Sequence, residues 1–414
     1  MEMFSPRLME LARQAEQNVK DIFAHIDEVA LVNTAKVLKA FRENRVDETC
    51  FSGTTGYGYS DKGREKLGKI FADIFGGEDG AAGAGFVSGT HAITCGLFGA
   101  LEPGDKLISA IADPYDTLMK VIGDKNSRGT LKNYGIDYEA VSLTADLKPD
   151  LEAIEAACRA CPSGAVLIQR SRGYSLRESL SVDEIGEIIA LIRKANPELK
   201  ILVDNCYGEF VETNEPGFVG ADLVMGSLIK NPGGGLAPMG GYLVGKTELI
   251  DHACERLTVP GIGREAGASL DTLRSLYQGI FLAPHVTAQA LKTVVFCAAV
   301  MEQLGYETLP RSTDPRHDIT QMITFGSPEP VLRFCEGIQA ASPVDAYVKP
   351  EPWDMPGYSC PVIMAAGTFI QGSSIELSCD APMREPYVAY LQGGLTYESG
   401  KIGILTAIEK FFDK

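Results

Sequence analysis

The sequence is poor in positive charge, in histidine and tryptophan, and in long apolar runs. Of 414 residues, 38 are lysine or arginine and 55 are aspartate or glutamate, which gives a formal net charge of −17. An acidic chain is repelled by nucleic acid and by anionic membranes, so we expect neither as a partner. No apolar run approaches the roughly 18 residues that a membrane span needs. The N-terminal segment lacks the pattern of a secretory signal, so we expect a cytoplasmic protein.

The ten cysteines do not follow a metal-binding pattern. Cys158 and Cys161 form a single CxxC pair in "CRAC", and no second pair and no histidines at ligand spacing follow it. A structural zinc site needs four ligands, which this pair does not supply. We therefore expect reduced thiols and no bound metal.

What the sequence does contain is an alternation of short apolar runs with helical segments. The runs include "KLISAI", "AVLIQ", "KILVDN", "ADLVMGS" and "GGYLVG", and the segments include "DLEAIEAACRA" and "SVDEIGEIIALIRKA". Apolar runs that are bounded by turns and separated by helices predict βαβ units and a mainly parallel sheet buried on both faces. The sequence therefore predicts an α/β fold.

The length of the chain predicts more than one domain. We expect a helical N-terminal arm over residues 1–55, a large α/β domain over 56–290 and a smaller α+β C-terminal domain over 291–414. A long helix is predicted over about residues 266–304, and "GKIGILTAIEKFF" is predicted to be the closing helix.

Ligands of parallel α/β sheets bind beyond the carboxyl ends of the strands, so the residues there are the candidates for a site. Ser88, Gly89 and Thr90 lead from an expected strand at "GFV" into a helix, where free N–H groups suit a phosphate. An ordinary N-cap explains them equally well. Tyr115, past "LISAI", either stacks on a flat ligand or packs into the core.

Two further strands are followed by Asp204 and by the pair Ser227 and Lys230. Asp204 ends "KILVD", where a buried carboxylate needs a cation or strong donors. Lys230 lies in "GSLIKNPGGG" without an acidic neighbour. Desolvation would lower its pKa and make it an imine-forming nucleophile. The alternative is a surface lysine whose head group lies in water. A phosphate cradle, a ring stacker, an acid for a ring nitrogen and an imine-forming lysine are together what pyridoxal 5′-phosphate needs.

A competing nucleotide motif lies in "GGYLVGKT", residues 240–247, which fits the phosphate-loop pattern literally. A phosphate loop needs an irregular backbone between a strand and a helix. Because Tyr242, Leu243 and Val244 themselves have the character of a strand, we expect no nucleotide site there.

The order of these features resembles the fold-type I pyridoxal-phosphate enzymes, and within them the cystathionine and methionine γ-lyase-like group. The chain is most similar to the branch labelled aluminium-resistance or methionine γ-lyase-like. The stretches "GYGYSDKGRE", "SGTHAI", "VDNCYGEF", "GSLIKNPGGG" and "YLQGGLTYE" carry this resemblance over nearly the whole chain. It implies a large domain with a mainly parallel sheet sandwiched by helices, and a smaller α+β C-terminal domain.

The resemblance also implies roles for individual residues. Lys230 would hold the cofactor as an internal aldimine, Asp204 would face the pyridine nitrogen, and Tyr115 would stack on the ring. The expected phosphate-binding residues are Ser88, Gly89, Thr90 and Ser227, joined by Tyr57, Tyr59 and Arg64 from the arm of a neighbouring subunit. A homo-oligomer with active sites at the subunit interface is therefore implied, with a dimer of dimers expected.

The implied reaction is cleavage of the carbon–sulfur bond of an amino acid by β- or γ-elimination, with Lys230 as general base and Tyr115 as proton donor to sulfur. Arg384 is the first candidate for the substrate carboxylate, and Arg170 and Arg172 in "QRSRGYS" follow. These two arginines favour a more anionic substrate. An aminotransferase or aldolase on the same cofactor, and a non-catalytic pyridoxal-phosphate-binding protein, are the alternatives.

Overall fold

The computed structural model describes residues 4–124, 126–355, 358 and 360–412. The helices are α1 (Pro6–Asn18), α2 (Lys20–Glu43), α3 (Lys62–Phe75), α4 (Gly89–Ala100), α5 (Asp116–Ile122), α6 (Leu151–Ala160), α7 (Val182–Ala195), α8 (Thr247–Leu257), α9 (Leu273–Gln303), α10 (Pro328–Ala340) and α11 (Tyr397–Phe412). The strands are β1 (Asp79–Gly83), β2 (Lys106–Ser109), β3 (Asp137–Ala140), β4 (Gly164–Gln169), β5 (Lys200–Asp204), β6 (Leu223–Ser227), β7 (Gly241–Gly245), β8 (Glu307–Leu309), β9 (Thr320–Thr324), β10 (Val362–Ala365), β11 (Ser378–Pro382) and β12 (Val388–Gln392).

The larger sheet has seven strands in the order β1-β7-β6-β5-β4-β2-β3. Strands β2 to β6 are parallel, whereas β7 is antiparallel to both β6 and β1. Ala165 and Leu167 of β4 pack toward α4, α5 and α8, and the alternate residues Val166 and Ile168 pack toward α6 and α7. Helices therefore cover both faces, which confirms the predicted α/β sandwich.

Local signals in the sequence fix the ends of several helices. At the start of α7, the Glu184 N–H donates to Ser181 Oγ over 3.0 Å, and the Ser181 N–H donates to Glu184 Oε2 over 2.8 Å. This reciprocal pair is a capping box and satisfies two N–H groups that a helix start leaves free. The helix α3 ends at Gly76, whose φ of 83° lies in the left-handed region that glycine adopts without strain.

The smaller sheet is antiparallel, in the order β10-β11-β12-β9-β8. It shares one apolar core with α9, α10 and α11, which confirms the predicted smaller α+β unit. Leu8, Ala12 and Ala15 of α1 are buried in the same core, so the N-terminal segment packs on this unit. The boundaries at 55/56 and 290/291 stay predictions, and α9 is continuous across the second.

Three predicted elements differ from the structure. The strand expected at "GFV" lies earlier, because β1 pairs with β7 only from Asp79 to Gly83. The helix expected from residue 266 begins at Leu273, because the N–H groups of Gly267 and Leu270 donate to carbonyls of residues 57 and 54 instead. The N-terminal helical segment is divided into α1 and α2 at Val19.

Strand β7 and helix α9 concern two classes of protein considered above, nucleotide-binding proteins and membrane proteins. The residues Gly241–Gly245 form a regular strand and α8 begins at Thr247, so the phosphate-loop motif has no irregular loop to bind a nucleotide. By length and composition α9 meets the criterion for a membrane span, but 72% of its apolar window is buried inside the protein. It packs as a core helix between the two sheets' hydrophobic clusters.

Candidate active site

A cavity of about 370 Å³ lies where the carboxyl ends of β4, β5 and β6 meet one face of β11 and β12. This volume falls within the range of small-molecule sites in proteins. The structure brings seven of the predicted site residues together in its wall: Ser88, Gly89, Thr90, Tyr115, Asp204, Ser227 and Lys230. Among the described residues there is no cluster of three or more metal-ligating side chains.

Lys230 follows β6 and extends its ammonium group into this cavity. Its Nζ lies 3.8 Å from the centroid of the Tyr207 ring. Burial lowers the pKa of Lys230. The acidic groups of Cys206, Tyr207 and Asp204 together raise it by more than burial lowers it, so the pKa lies above its ordinary value. The lowered pKa predicted from desolvation is therefore wrong, because the sequence alone did not reveal how many acidic groups surround the amine.

Asp204 ends the neighbouring strand β5, and 3% of its surface is exposed. The Cys206 N–H donates to its Oδ1 over 3.1 Å. Burial raises the pKa of the Asp204 carboxyl, and the charge of Lys230 opposes that rise without cancelling it. Asp204 has no salt-bridge partner among the described residues, and a buried acid of this kind is suited to a protonated ring nitrogen.

The start of α4 forms another part of the cavity wall. Ser88 caps this helix, because its Oγ accepts from the His91 N–H over 3.1 Å. A Cβ atom on Gly89 would lie 2.6 Å from Cβ of Ser227, so only glycine lets the helix approach β6 this closely. At the start of a helix the first N–H groups, here those of Gly89 and Thr90, have no intrahelical acceptors and are available to a phosphate.

Tyr115 lies near both Thr90 and Asp204. Its N–H donates to Gln169 Oε1 over 3.1 Å, and its hydroxyl lies 3.3 Å from Thr90 Oγ1. Burial, with the nearby Asp204 and Cys206, raises the pKa of Tyr115 well above its ordinary range. The phenol therefore stays protonated at neutral pH and is able to donate a proton.

The structure adds cavity residues that the sequence reasoning missed. Tyr207, with a φ of 73°, contacts the lysine, and its hydroxyl lies 3.2 Å from Ser374 Oγ. It lies in "VDNCYGEF", three residues after β5, so a wider search past that strand would have found it. Asp380 and Tyr390 come from the smaller sheet. No local pattern marks them, because they reach the cavity only through the packing of that sheet.

Glu209 is a fully buried acid behind this wall. The Tyr242 hydroxyl donates to its Oε1 over 2.9 Å, and Oε2 has no partner within the described residues. Burial raises the pKa of Glu209 to about 8. This carboxyl is therefore largely neutral at neutral pH and adds little charge beneath the lysine.

The three predicted arginines do not line this cavity. Arg170 is fully buried away from it, with its Nη2 2.6 Å from Glu212 Oε1 and its Nη1 3.6 Å from Glu215 Oε2. Arg384 is exposed and lines an adjoining cleft of about 230 Å³, which shares Tyr174 and Tyr390 with the cavity. Arg172 is buried next to the cavity residue Ser171, and its Nε and Nη2 have no partner in the described part of the chain.

The predicted arm residues also lie outside this chain's own cavity. Tyr57 and Tyr59 are 69% and 57% exposed, and their rings stack with centroids 5.4 Å apart. The Arg64 guanidinium donates to the carbonyls of Gly58 and Gly267, which holds the arm in place. The structure thus presents both tyrosines to solvent.

Comparison with known proteins relates this geometry to a family. The model of the methionine γ-lyase family matches residues 8–412. The chain belongs to the methionine γ-lyase family. It is 50% identical over 410 residues to the uncharacterized protein YnbB of Bacillus subtilis (strain 168), covering 98% of this chain and 97% of YnbB.

Solved structures extend the comparison. A carbon-sulfur lyase involved in aluminum resistance from Clostridium novyi NT is 46% identical, with a TM-score of 0.94 over 99% of this chain and 96% of that one. The pyridoxal-5′-phosphate-dependent protein YhfS of Escherichia coli, 18% identical with a TM-score of 0.64 over 94% and 97% of the chains, shares the fold.

The methionine γ-lyase family depends on pyridoxal 5′-phosphate, which is therefore the cofactor of this protein, and family and fold point to a lyase. The cavity fits this group. Gly89 opens a cradle of N–H groups for a phosphate, Asp204 supplies a buried acid, and Lys230 supplies an amine in the same cavity. The cofactor prediction is thus confirmed by the family and matched by the site.

The buried contacts of Arg170 predict a structural role for this residue. Arg170→Met should lower the free energy of unfolding by about 3–5 kcal/mol, because it leaves the buried Glu215 without its nearest cation. Arg384→Met, on the exposed surface, should change it by less than about 0.5 kcal/mol. Thermal unfolding of both variants measures the difference, and equal midpoints would show that Arg170 is not structural.

The raised pKa of Glu209 predicts a pH dependence of stability. Its carboxyl has an ordinary pKa of 4.5 and a folded value of about 8. Between these values the unfolded chain is ionised at this position and the folded chain is protonated, so stability falls as pH rises toward 8. In Glu209→Gln, the unfolding midpoint should therefore fall less steeply with rising pH between about pH 6 and pH 8 than in the wild type. The exposed Glu329→Gln is the control, and an unchanged slope in Glu209→Gln would contradict the prediction.

Proposed function

We propose that the protein cleaves the carbon–sulfur bond of a sulfur-containing amino acid by β- or γ-elimination, as a pyridoxal-phosphate-dependent lyase. The observation that carries this proposal is the shared cavity of Lys230, Asp204 and Tyr115. A base, an acid for the cofactor ring and a proton donor are the groups that such a reaction requires. The similarity to the Clostridium novyi carbon-sulfur lyase supports the same reaction class.

Each of the three groups has a separate task. Pyridoxal phosphate, when bound, withdraws electrons from the Cα atom of an amino acid. Asp204 would hold the proton of the ring nitrogen. Lys230 would accept the Cα proton when its amine is unprotonated, and the acidic groups around it would stabilise the ammonium that forms.

Tyr115 would donate a proton to the departing sulfur. The hydroxyl is protonated at neutral pH, so it carries the proton that the departing sulfur needs. The hydrogen bond from its N–H to Gln169 anchors the backbone at the start of α5, and Thr90 contacts its hydroxyl. The phenol is thus held at the cavity wall rather than free to rotate into solvent.

The substrate carboxylate would be bound by Arg172 rather than by Arg170 or Arg384. Two guanidinium nitrogens of Arg172, Nε and Nη2, have no acceptor among the described residues, and Arg172 adjoins Ser171 in the cavity wall. Arg170 already pairs with two glutamates, and Arg384 lies in the neighbouring cleft. The guanidinium of Arg172 is close enough to the cavity residue Tyr390 to oppose the rise in the pKa of that phenol.

We also propose a cytoplasmic homo-oligomer in which the arm of one subunit completes the site of the next. Tyr57 and Tyr59 are exposed here and stacked on each other, which is an unusual setting for two aromatic rings. A second copy of the chain would cover them and receive their hydroxyls near the phosphate end of its own cavity. A dimer of dimers is the expected assembly.

Substitution of the lysine tests the proposed function. Lys230→Ala should lose the visible absorbance of lysine-linked cofactor and at least about a thousandfold in turnover, because the general base is removed. Lys39→Ala, which changes an exposed lysine, should keep both. Wild-type protein should release ammonia, a 2-oxo acid and a thiol from a thioether amino acid.

Product analysis separates the proposal from its alternatives. Release of a 2-oxo acid only when an acceptor 2-oxo acid is added would indicate an aminotransferase. A cofactor spectrum that does not respond to any amino acid would indicate a binding protein. Full lyase activity in Lys230→Ala would overturn the assignment of the base.

A further inference from the structure

The cavity carries more negative than positive charge in its wall. Its charged lining residues, within the part of the chain that the structure describes, are Lys230, Asp116, Asp204 and Asp380. Lys230 and Asp204 are used by the cofactor, and Asp116 is exposed at the start of α5. Asp380 has no task in the reaction described above.

Asp380 lies on the smaller sheet, on the side that faces the cavity. In β11 it is paired with Met364 of β10 and Tyr390 of β12. Gln392 donates its side-chain N–H to Asp380 Oδ2 over 3.3 Å, whereas Oδ1 is buried and accepts no hydrogen bond within the described residues. Asp380 is 9% exposed, so little water reaches its carboxyl.

The Asp380 carboxyl is mostly charged at neutral pH, and it has no cationic partner among the described residues of its own chain. Burial raises its pKa to about 6, and the side chains of Tyr174 and Gln392 moderate the rise. No lysine, arginine or histidine of the described residues forms an ion pair with it. A buried charge without a counter-ion is unfavourable by several kcal/mol, and a ligand cation would remove that cost.

Three tyrosine rings adjoin this carboxylate. Tyr174 lies 5.2 Å from Tyr390 and 5.6 Å from Tyr358 between ring centroids, and all three line the cavity with Asp380. The faces of aromatic rings attract cations, and a carboxylate next to such rings reinforces that preference. A neutral thioether side chain would gain contact with the rings but would leave the carboxylate uncompensated.

We propose that Asp380, with the rings of Tyr174, Tyr358 and Tyr390, forms a subsite that binds a positively charged group at the distal end of the substrate side chain. This inference rests on the proposed function, since it assigns the class of amino acid that the lyase accepts. The cation is an ammonium group, as in a diamino thioether, or a sulfonium group. It replaces the more anionic substrate expected from "QRSRGYS", because the charged residue that the structure places with the three rings in the cavity wall is an aspartate.

A matched pair of unreactive ligands tests the subsite without turnover. L-lysine and L-2-aminoheptanoate have side chains of equal length, and one ends in an ammonium group where the other ends in a methyl group. Neither has a leaving group at Cβ or Cγ. Calorimetric titration of the holoenzyme should give L-lysine an affinity about tenfold or more above that of L-2-aminoheptanoate.

Substitutions then assign the preference to Asp380. Asp380→Asn should reduce the affinity for L-lysine about tenfold or more and leave that for L-2-aminoheptanoate unchanged or improved. Asp380→Glu, which keeps the charge, should keep the preference. Glu385→Gln removes an exposed carboxylate of the same chain segment and should change neither affinity. Equal loss for both ligands in Asp380→Asn, or no preference in the wild type, would overturn the proposal.

Turnover distinguishes the two sources of the cation and separates this inference from the proposed function. The specificity constants for L-cystathionine and S-methyl-L-methionine, each against L-methionine, report whether an ammonium or a sulfonium group is preferred. If no thioether is cleaved while the lysine preference holds, the proposed function fails and the subsite stands. If L-methionine is cleaved best and the preference is absent, the subsite fails and the lyase function stands.

Discussion

Asp204 and Lys230 are held in one cavity by two neighbouring parallel strands, and the site depends on this placement. Asp204 ends β5 in register with Met225 of β6, and Lys230 follows the end of β6 by three residues. Aliphatic residues of these strands are buried on both faces of the sheet, so neither strand can shift without opening the core. The distance between the acid and the amine is thereby fixed by the register of the sheet rather than by the loops.

The electrostatics of the site follow from the same placement. Isolated burial would make Lys230 a weak base, but the acidic groups around it raise its pKa. Asp204, in turn, has a raised pKa because burial outweighs the neighbouring ammonium. Two groups that are each costly to bury thus compensate each other partly, which leaves both available to a ligand that carries charge of both signs.

The elements and residues that were correctly predicted from the sequence are those whose positions depend on nearby residues of the chain. Strands β4, β5 and β6 are apolar runs with turns at both ends, so the residues after them, including Asp204 and Lys230, were predictable from strand ends alone. The start of α9 was not, because the N–H groups of Gly267 and Leu270 bond to the distant loop at residues 54–57. The position of Arg170 outside the cavity was unpredictable for a similar reason. Its guanidinium is oriented by Glu212 and Glu215, some 40 residues later in the chain.

The proposed function depends on a covalent link between Lys230 and the cofactor, and chemical trapping tests this link most directly. Reduction of the purified holoenzyme with borohydride makes a lysine–pyridoxal linkage permanent, and mass spectrometry of a digest then locates it. We expect the phosphopyridoxyl mass on the peptide that contains Lys230. A modified peptide that lacks Lys230, or unmodified protein from a sample with bound cofactor, would contradict it.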